Sequence, residues 1–120
     1  MRIGEVARRA GVSTRALRYY EQQGLITAER DRNGYRIYEP GTVPLVRDIA
    51  RLLRAGLGSQ DVLRFVHCLG GPPATDGCGD TLAIFNERLA TLDERIDALT
   101  DLRERLRSEA ARLARNTTPP

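Results

Sequence analysis

Apolar residues recur at helical intervals from the start of the chain. Ile3, Val6, Ala7 and Ala10 share one helix face, which predicts a short helix over 3–10. Gly11-Val12 interrupts the period. Ser13 then offers a hydroxyl that can accept from an orphan N–H of a first turn. Ala16, Leu17 and Tyr20 follow at i, i+1 and i+4 as one inward stripe. Two helices joined by a tight Gly-containing turn are the layout of a helix-turn-helix. Gly24 stands where a helix commonly ends in the left-handed region, and Leu25-Ile26 continues in extended form. Asn33-Gly34 is the chain's strongest hairpin signal, since both residues tolerate φ > 0. Tyr35-Arg36-Ile37-Tyr38 alternates, with Tyr35 and Ile37 on one face and Arg36 and Tyr38 on the other.

A third helix is predicted over 40–58, with Val43, Val46, Ile49, Ala50, Leu53 and Leu57 as its apolar stripe and Arg47, Arg51 and Arg54 as a basic one. A fourth, short helix spans 59–66 with Ser59 as its cap. Residues 69–79 are too rich in Gly and Pro for helix or strand. From Asp80 to Arg115 there is neither Gly nor Pro. With Leu82 at position a, the a/d series runs Leu82, Phe85, Leu89, Leu92, Ile96, Leu99, Arg103, Leu106, Ala110, Leu113. Roughly 35 helical residues make a rod of about 50 Å, too long to bury its stripe on so small a domain. A second copy of the helix is the simplest cover. Arg103, costly inside a parallel pair, fits an antiparallel one that offers it an acid. The expectation is a mainly α chain: a winged helix-turn-helix domain with supporting helices over 1–68, a linker over 69–79, a dimerisation helix over 80–115 forming an antiparallel coiled coil, and a disordered tail over 116–120.

Charge sharpens this division. Residues 1–60 carry eleven Arg against six acidic residues, and residues 61–120 carry eight against ten, so only the first half suits a polyanionic partner. There is no Lys. No run of about 18 apolar residues is present to span a membrane. The first residues lack the apolar core of a secretory signal, and two cysteines are too few for a disulfide scaffold. A reduced, cytoplasmic location is expected. With one His, no phosphate-cradling loop and no nucleophile beside a recognisable base, the chain does not read as an enzyme.

The second helix directs Arg15, Arg18 and Tyr19 away from its apolar stripe. Arginine forks onto phosphate or onto guanine O6/N7. Taken alone, these residues fit a solvated face equally well. The hairpin that follows adds Arg30, Arg32, Tyr35, Arg36 and Tyr38, a basic, aromatic wing suited to the sugar–phosphate backbone.

Ile3-Gly4-Glu5-Val6-Ala7, Ala10-Gly11-Val12-Ser13, Leu17-Arg18-Tyr19-Tyr20-Glu21, Gly24-Leu25-Ile26, Gly34-Tyr35-Arg36-Ile37-Tyr38 and Leu57-Gly58 together resemble the mercury-resistance-regulator (MerR) family of bacterial transcription regulators. The match is close over residues 1–66 and architectural over the long helix. The resemblance implies a homodimer on a two-fold operator of double-stranded DNA, within a promoter whose spacer is overlong. An effector then makes the dimer twist and bend the DNA so that RNA polymerase can engage. It implies Arg15, Arg18, Tyr19, Tyr35, Arg36 and Tyr38 as DNA contacts, with Thr14 and Arg54 as weaker candidates. Leu82, Phe85, Leu89, Leu92, Ile96, Leu99 and Leu106 would form the dimer seam.

The effector is less determined. Metal-sensing members of the family use a Cys at the start of the long helix and further Cys in a loop after it. Cys78 matches the first, and Arg-Asn-Thr-Thr-Pro-Pro stands where the second would be. His67, Cys68 and Cys78 are left around the Gly/Pro segment. Two thiolates and an imidazole suit a soft metal ion, the two thiols alone suit a reversible disulfide, and all three also fit purely structural roles. An effector-independent repressor or architectural DNA binder, and a coiled-coil protein adaptor, are the alternative functions.

Overall fold

The computed structural model describes residues 1–71, 78 and 80–117. Helix α1 spans Ile3–Ala10 and α2 spans Thr14–Gln22. Between them Gly11 lies at φ 72°, and the Ser13 hydroxyl accepts the Ala16 N–H at 3.0 Å, closing the first turn of α2. At the far end of α2, the Gly24 N–H donates to Glu21 and the Leu25 N–H to Tyr20. This is the paired closure that a glycine at positive φ permits; Gly24 has φ 78°.

Strands β1 (Glu29–Arg30) and β2 (Arg36–Ile37) pair antiparallel, Glu29 opposite Ile37 and Arg30 opposite Arg36. The hairpin forms around Asn33-Gly34, but by a five-residue loop rather than a two-residue turn. Asp31 organises it: its Oδ1 accepts from the N–H groups of Asn33 (2.9 Å) and Tyr35 (3.0 Å), and its carbonyl accepts from Gly34.

Helix α3 spans Thr42–Arg54, shorter at both ends than the predicted 40–58. Gly56, at φ 107°, ends it. The Gly56 and Leu57 N–H groups fold back onto the carbonyls of Leu53 and Leu52, so Leu57 reaches the core from outside the helix. Val43, Val46, Ile49, Ala50 and Leu57 are buried as predicted, but Leu52 is buried where Leu53 is only half-buried. Helix α4 is Ser59–Leu63, followed by a 3-10 turn at Val66–Cys68. Gly58, not Ser59, is its N-cap residue; the Asp61 carboxylate accepts the Gly58 N–H, and the Ser59 hydroxyl donates to Gln23 instead.

Val6, Leu17, Tyr20, Val46, Ile49, Val62 and Phe65 form the centre of the core. Arg47 ties α3 to α1 by donating from Nε (3.2 Å) and Nη2 (2.7 Å) to the Arg9 carbonyl, one of the acceptors that the last turn of a helix leaves open. Beyond the 3-10 turn, Gly70 lies against α3. Its N–H donates to Asp48 (2.9 Å), and a Cβ there would stand 2.9 Å from Leu45 Cα.

Helix α5 spans Thr81–Thr117, about 55 Å at 1.5 Å per residue. It runs through Asn116 and Thr117, which were expected in the tail; Thr117 Oγ1 donates to Leu113 O and Ala114 O. Residues 118–120, and 72–77 and 79 of the expected linker, lie outside the described residues. The chain divides into two compact units, Met1–Leu82 and Ala83–Pro120. Along α5 the apolar seam is mostly bare: Leu82, Leu89, Ile96, Leu99, Leu106 and Leu113 are exposed, Leu99 by 65%, while Phe85 and Leu92 are half-buried. Ile84, off the a/d series, is the buried residue of this helix.

Candidate nucleic-acid interface

Helix α2 turns Leu17 and Tyr20 into the core and leaves Arg15, Arg18 and Tyr19 exposed, with Thr14 partly covered at its first turn. The wing lies against this helix. Arg36 Nε meets Glu21 Oε2 at 2.9 Å, with both side chains mostly buried. This pair joins β2 to the last turn of α2. Arg36 is therefore committed to Glu21, and its first effect is on wing placement.

Tyr38 differs from expectation. Alternation correctly groups it with Arg36 and sets Tyr35 and Ile37 on the opposite face, but the Arg36/Tyr38 face is the inward one. Tyr38 is 1% exposed, and its Oη is buried without a hydrogen-bond partner among the described residues. A ring so placed is a core residue, not a surface contact for a phosphate. Burial pushes the phenol above its ordinary pKa and the Glu21 carboxylate adds to this, while the charges of Arg36, Arg30 and Arg18 pull it down. Three guanidiniums thus gather where α2 meets the wing.

Tyr35 remains exposed, by 59%. The Arg2 guanidinium lies 4.8 Å from its ring centroid, within the range of a cation–π contact, and also pairs with Asp31 at 3.0 Å. Met1 and Tyr38 exchange backbone hydrogen bonds, so the segment before α1 runs beside β2. Arg2 and Asp31 were not among the sequence-derived site residues. Asp31 was legible in principle, as an Asp followed by a turn pair whose N–H groups its side chain can cap; the Arg2 contact spans too much sequence to be read locally. Arg54 is exposed and lines an open depression with Ser13, Ala16 and Tyr20.

The Asp31 carboxyl is held below the usual carboxylate range, chiefly by the Tyr35 N–H, with the Asn33 N–H and the Arg2 charge adding to it against some desolvation. A depressed folded-state pKa stabilises the wing above the ordinary carboxylate value and loses that stabilisation as pH falls through the lower one. Amide exchange at Asn33 and Tyr35, taken relative to the intrinsic rate at each pH, will therefore be constant from neutral pH down to about 5 and accelerate below about 4. In Asp31→Ala it will be fast throughout; a variant with the parent's acid profile would assign the capping to another group.

At the other end of this unit, Cys68 and Cys78 form a disulfide with Cα atoms 5.8 Å apart. One donor atom each from His67, Cys68 and Cys78 lies within 4.8 Å of the others. The structure brings these three together; it does not leave Cys78 as an isolated loop residue. Among the described residues no helix is long and apolar enough to cross a membrane.

The MerR family regulatory protein model matches residues 2–38, from the segment before α1 to the end of the wing. The chain is 32% identical over 106 residues to the HTH-type transcriptional regulator HmrR of Rhizobium leguminosarum bv. viciae, covering 88% of this chain and 81% of that protein. It is 32% identical to the nodulation protein NolA of Bradyrhizobium sp. (strain NC92) across 89% of its own length but only 42% of NolA, so it spans less than half of that relative. Among solved structures, the transcription regulator PbrR691 from Ralstonia metallidurans CH34, in complex with lead(II), aligns over 90% of this chain and 83% of its own. Its TM-score is 0.75 at 22% identity, a likeness of fold.

Proposed function

Given that the chain belongs to the MerR family of DNA-binding transcriptional regulators, we propose that it acts as a homodimer on a two-fold operator in double-stranded DNA and distorts that DNA in response to an effector. The observation that carries this reading is the Ser13-capped α2, with Arg15, Arg18 and Tyr19 exposed beside a wing joined to the same helix by Arg36–Glu21. A helix presented this way suits the major groove. Arg15 and Arg18 would meet base edges or phosphates there, Thr14 and Tyr19 the flanking backbone, Tyr35 the backbone on the wing side, and Arg54 a more distant phosphate. The seam Leu82, Phe85, Leu89, Leu92, Ile96, Leu99 and Leu106, half-buried at Phe85 and Leu92 and exposed at the rest, would close against a second copy. An antiparallel arrangement gives Arg103 an acid to meet. RNA polymerase is the partner implied at the promoter. Cys68 and Cys78 are the candidate effector site, responding to a soft metal or to thiol oxidation; PbrR691, of similar fold, was solved with lead(II).

A footprint on the chain's own upstream region, repeated across a salt series, tests the reading. Arg18→Ala will weaken specific binding by about 1–3 kcal/mol and relax preference at one position if it reads a base. Arg36→Ala will weaken all duplexes alike, because it releases Glu21 and loosens the wing. Unchanged duplex affinity in Arg15→Ala, Arg18→Ala and Arg36→Ala together would remove the DNA-reading role from this surface.

A further inference from the structure

Resting on the reading of Cys68 and Cys78 as an effector site, we propose that His67, Cys68 and Cys78 form a redox-gated site for a soft d10 divalent cation. The cation is held by two thiolates and one imidazole, and only when the disulfide is reduced.

Convergence of three donors from two separate segments carries the argument. His67 and Cys68 lie on the 3-10 turn Val66–Cys68, and Cys78 comes from beyond the Gly/Pro segment; their donor atoms stand within 4.8 Å of one another. The turn is fixed. Cys68 and Leu69 donate back to the carbonyls of Phe65 and Val66, Phe65 is buried, and Gly70 is held by Asp48 and packed against Leu45. On the other side the Cys78 carbonyl accepts the Thr81 N–H at the start of α5. Two sulfurs and one imidazole are the donor set of a thiophilic cation, and three protein ligands leave one position open, here to water. His67 is exposed and both cysteines are partly so, which gives the ion a path of entry.

The two states exclude each other. In the disulfide both sulfurs are bonded to one another and neither is a thiolate. A dithiol reductant opens it by exchange: its thiolate attacks one sulfur, the S–S bond breaks, and its second thiol resolves the mixed disulfide. The reductant leaves as its own disulfide, having given two electrons, and the protein gains two thiols. Cation binding then displaces both thiol protons to solvent. Either bridge, covalent or metal, ties the end of the 3-10 turn to the start of α5, but only one can exist at a time.

The test titrates cadmium chloride into the full chain, fully oxidised or reduced with the reductant removed anaerobically, and follows thiolate-to-metal charge-transfer absorbance. The reduced chain will bind one equivalent with a charge-transfer band, and the oxidised chain will show none. Cys68→Ser and Cys78→Ser will each diminish the band. His67→Ala, which keeps both sulfurs, will weaken binding at least about tenfold, the scale on which a disturbed ligand environment is felt. Helical circular dichroism of each variant checks that it is folded. A reduced chain without a saturable band, equal binding by the oxidised chain, or an unaffected His67→Ala would overturn the site as described. Duplex affinity measured on the same samples separates the two readings. Intact DNA binding without cadmium binding refutes this site alone, and cadmium binding without duplex binding in either redox state refutes the proposed function alone.

Discussion

Ile96→Asp will turn the proposed homodimer into a monomer. Ile96 lies mid-helix in the bare seam of α5, with Leu92, Leu99 and Leu89 along the same a/d series, and is 58% exposed in the single chain. That much apolar surface on one rod is a partner-binding face. A carboxylate closed into it costs several kcal/mol or keeps the seam open, whereas the same substitution on a permanently solvated helix costs a few tenths. Sedimentation at micromolar concentration will show the parent as a dimer and the variant at half the mass. On the proposed two-fold operator, read by two recognition helices at fixed spacing, the variant will also lose the affinity that depends on both half-sites, while the fold of residues 1–71 is unaffected. A folded parent that sediments as a monomer would leave the seam without its assigned cover.

Tyr38 supplies the second large effect. Tyr38→Ala removes a ring that is 1% exposed from the place where the wing, α2 and the segment before α1 come together, and will destabilise the N-terminal unit by about 3–5 kcal/mol, as for other buried aromatics. Tyr38→Phe acts in the opposite sense. The Oη is buried and has no partner among the described residues, so deleting it relieves a desolvation cost that is typically about 1–3 kcal/mol for an unsatisfied group. The variant will melt at or above the parent's temperature and bind duplex equally well. Weaker operator binding by a fully folded Tyr38→Phe would return the hydroxyl to the DNA surface, where the family resemblance places it.

The contrast between Tyr38 and its neighbours shows what a sequence can and cannot disclose. Gly11, Ser13 and Gly24 act on residues within a turn of themselves, so their roles in closing α1 and α2 were legible directly. The long helix was legible because the 3-4 repeat persists without a breaker. The alternation of Tyr35 to Tyr38 gave the two faces of β2 but not which one faces inward. That depends on Glu21 standing 15 residues away to receive Arg36, and on the path of the chain before α1. The end of α3 was misplaced because Leu57 continues the apolar stripe, whereas backbone closure at Gly56 decides where the helix stops. His67, Cys68 and Cys78 were visible as donors, but their convergence follows from how the 3-10 turn seats on α3, through Gly70 and Asp48.

The Asp31-capped loop, clasped by Arg2 and moored through Arg36, bears on the thermodynamics of recognition. Fixing the backbone of a flexible residue costs about 1–2 kcal/mol, and a wing that ordered only upon docking would incur that for each of its five loop residues at the moment of association. Here the ordering is completed when the chain folds. On the proposed function the wing would meet DNA as a rigid body, with little of the heat-capacity change that marks coupled folding and binding. A conformational response to the proposed effector would then fall to the residues around Cys68 and Cys78 rather than to the proposed duplex-facing surface.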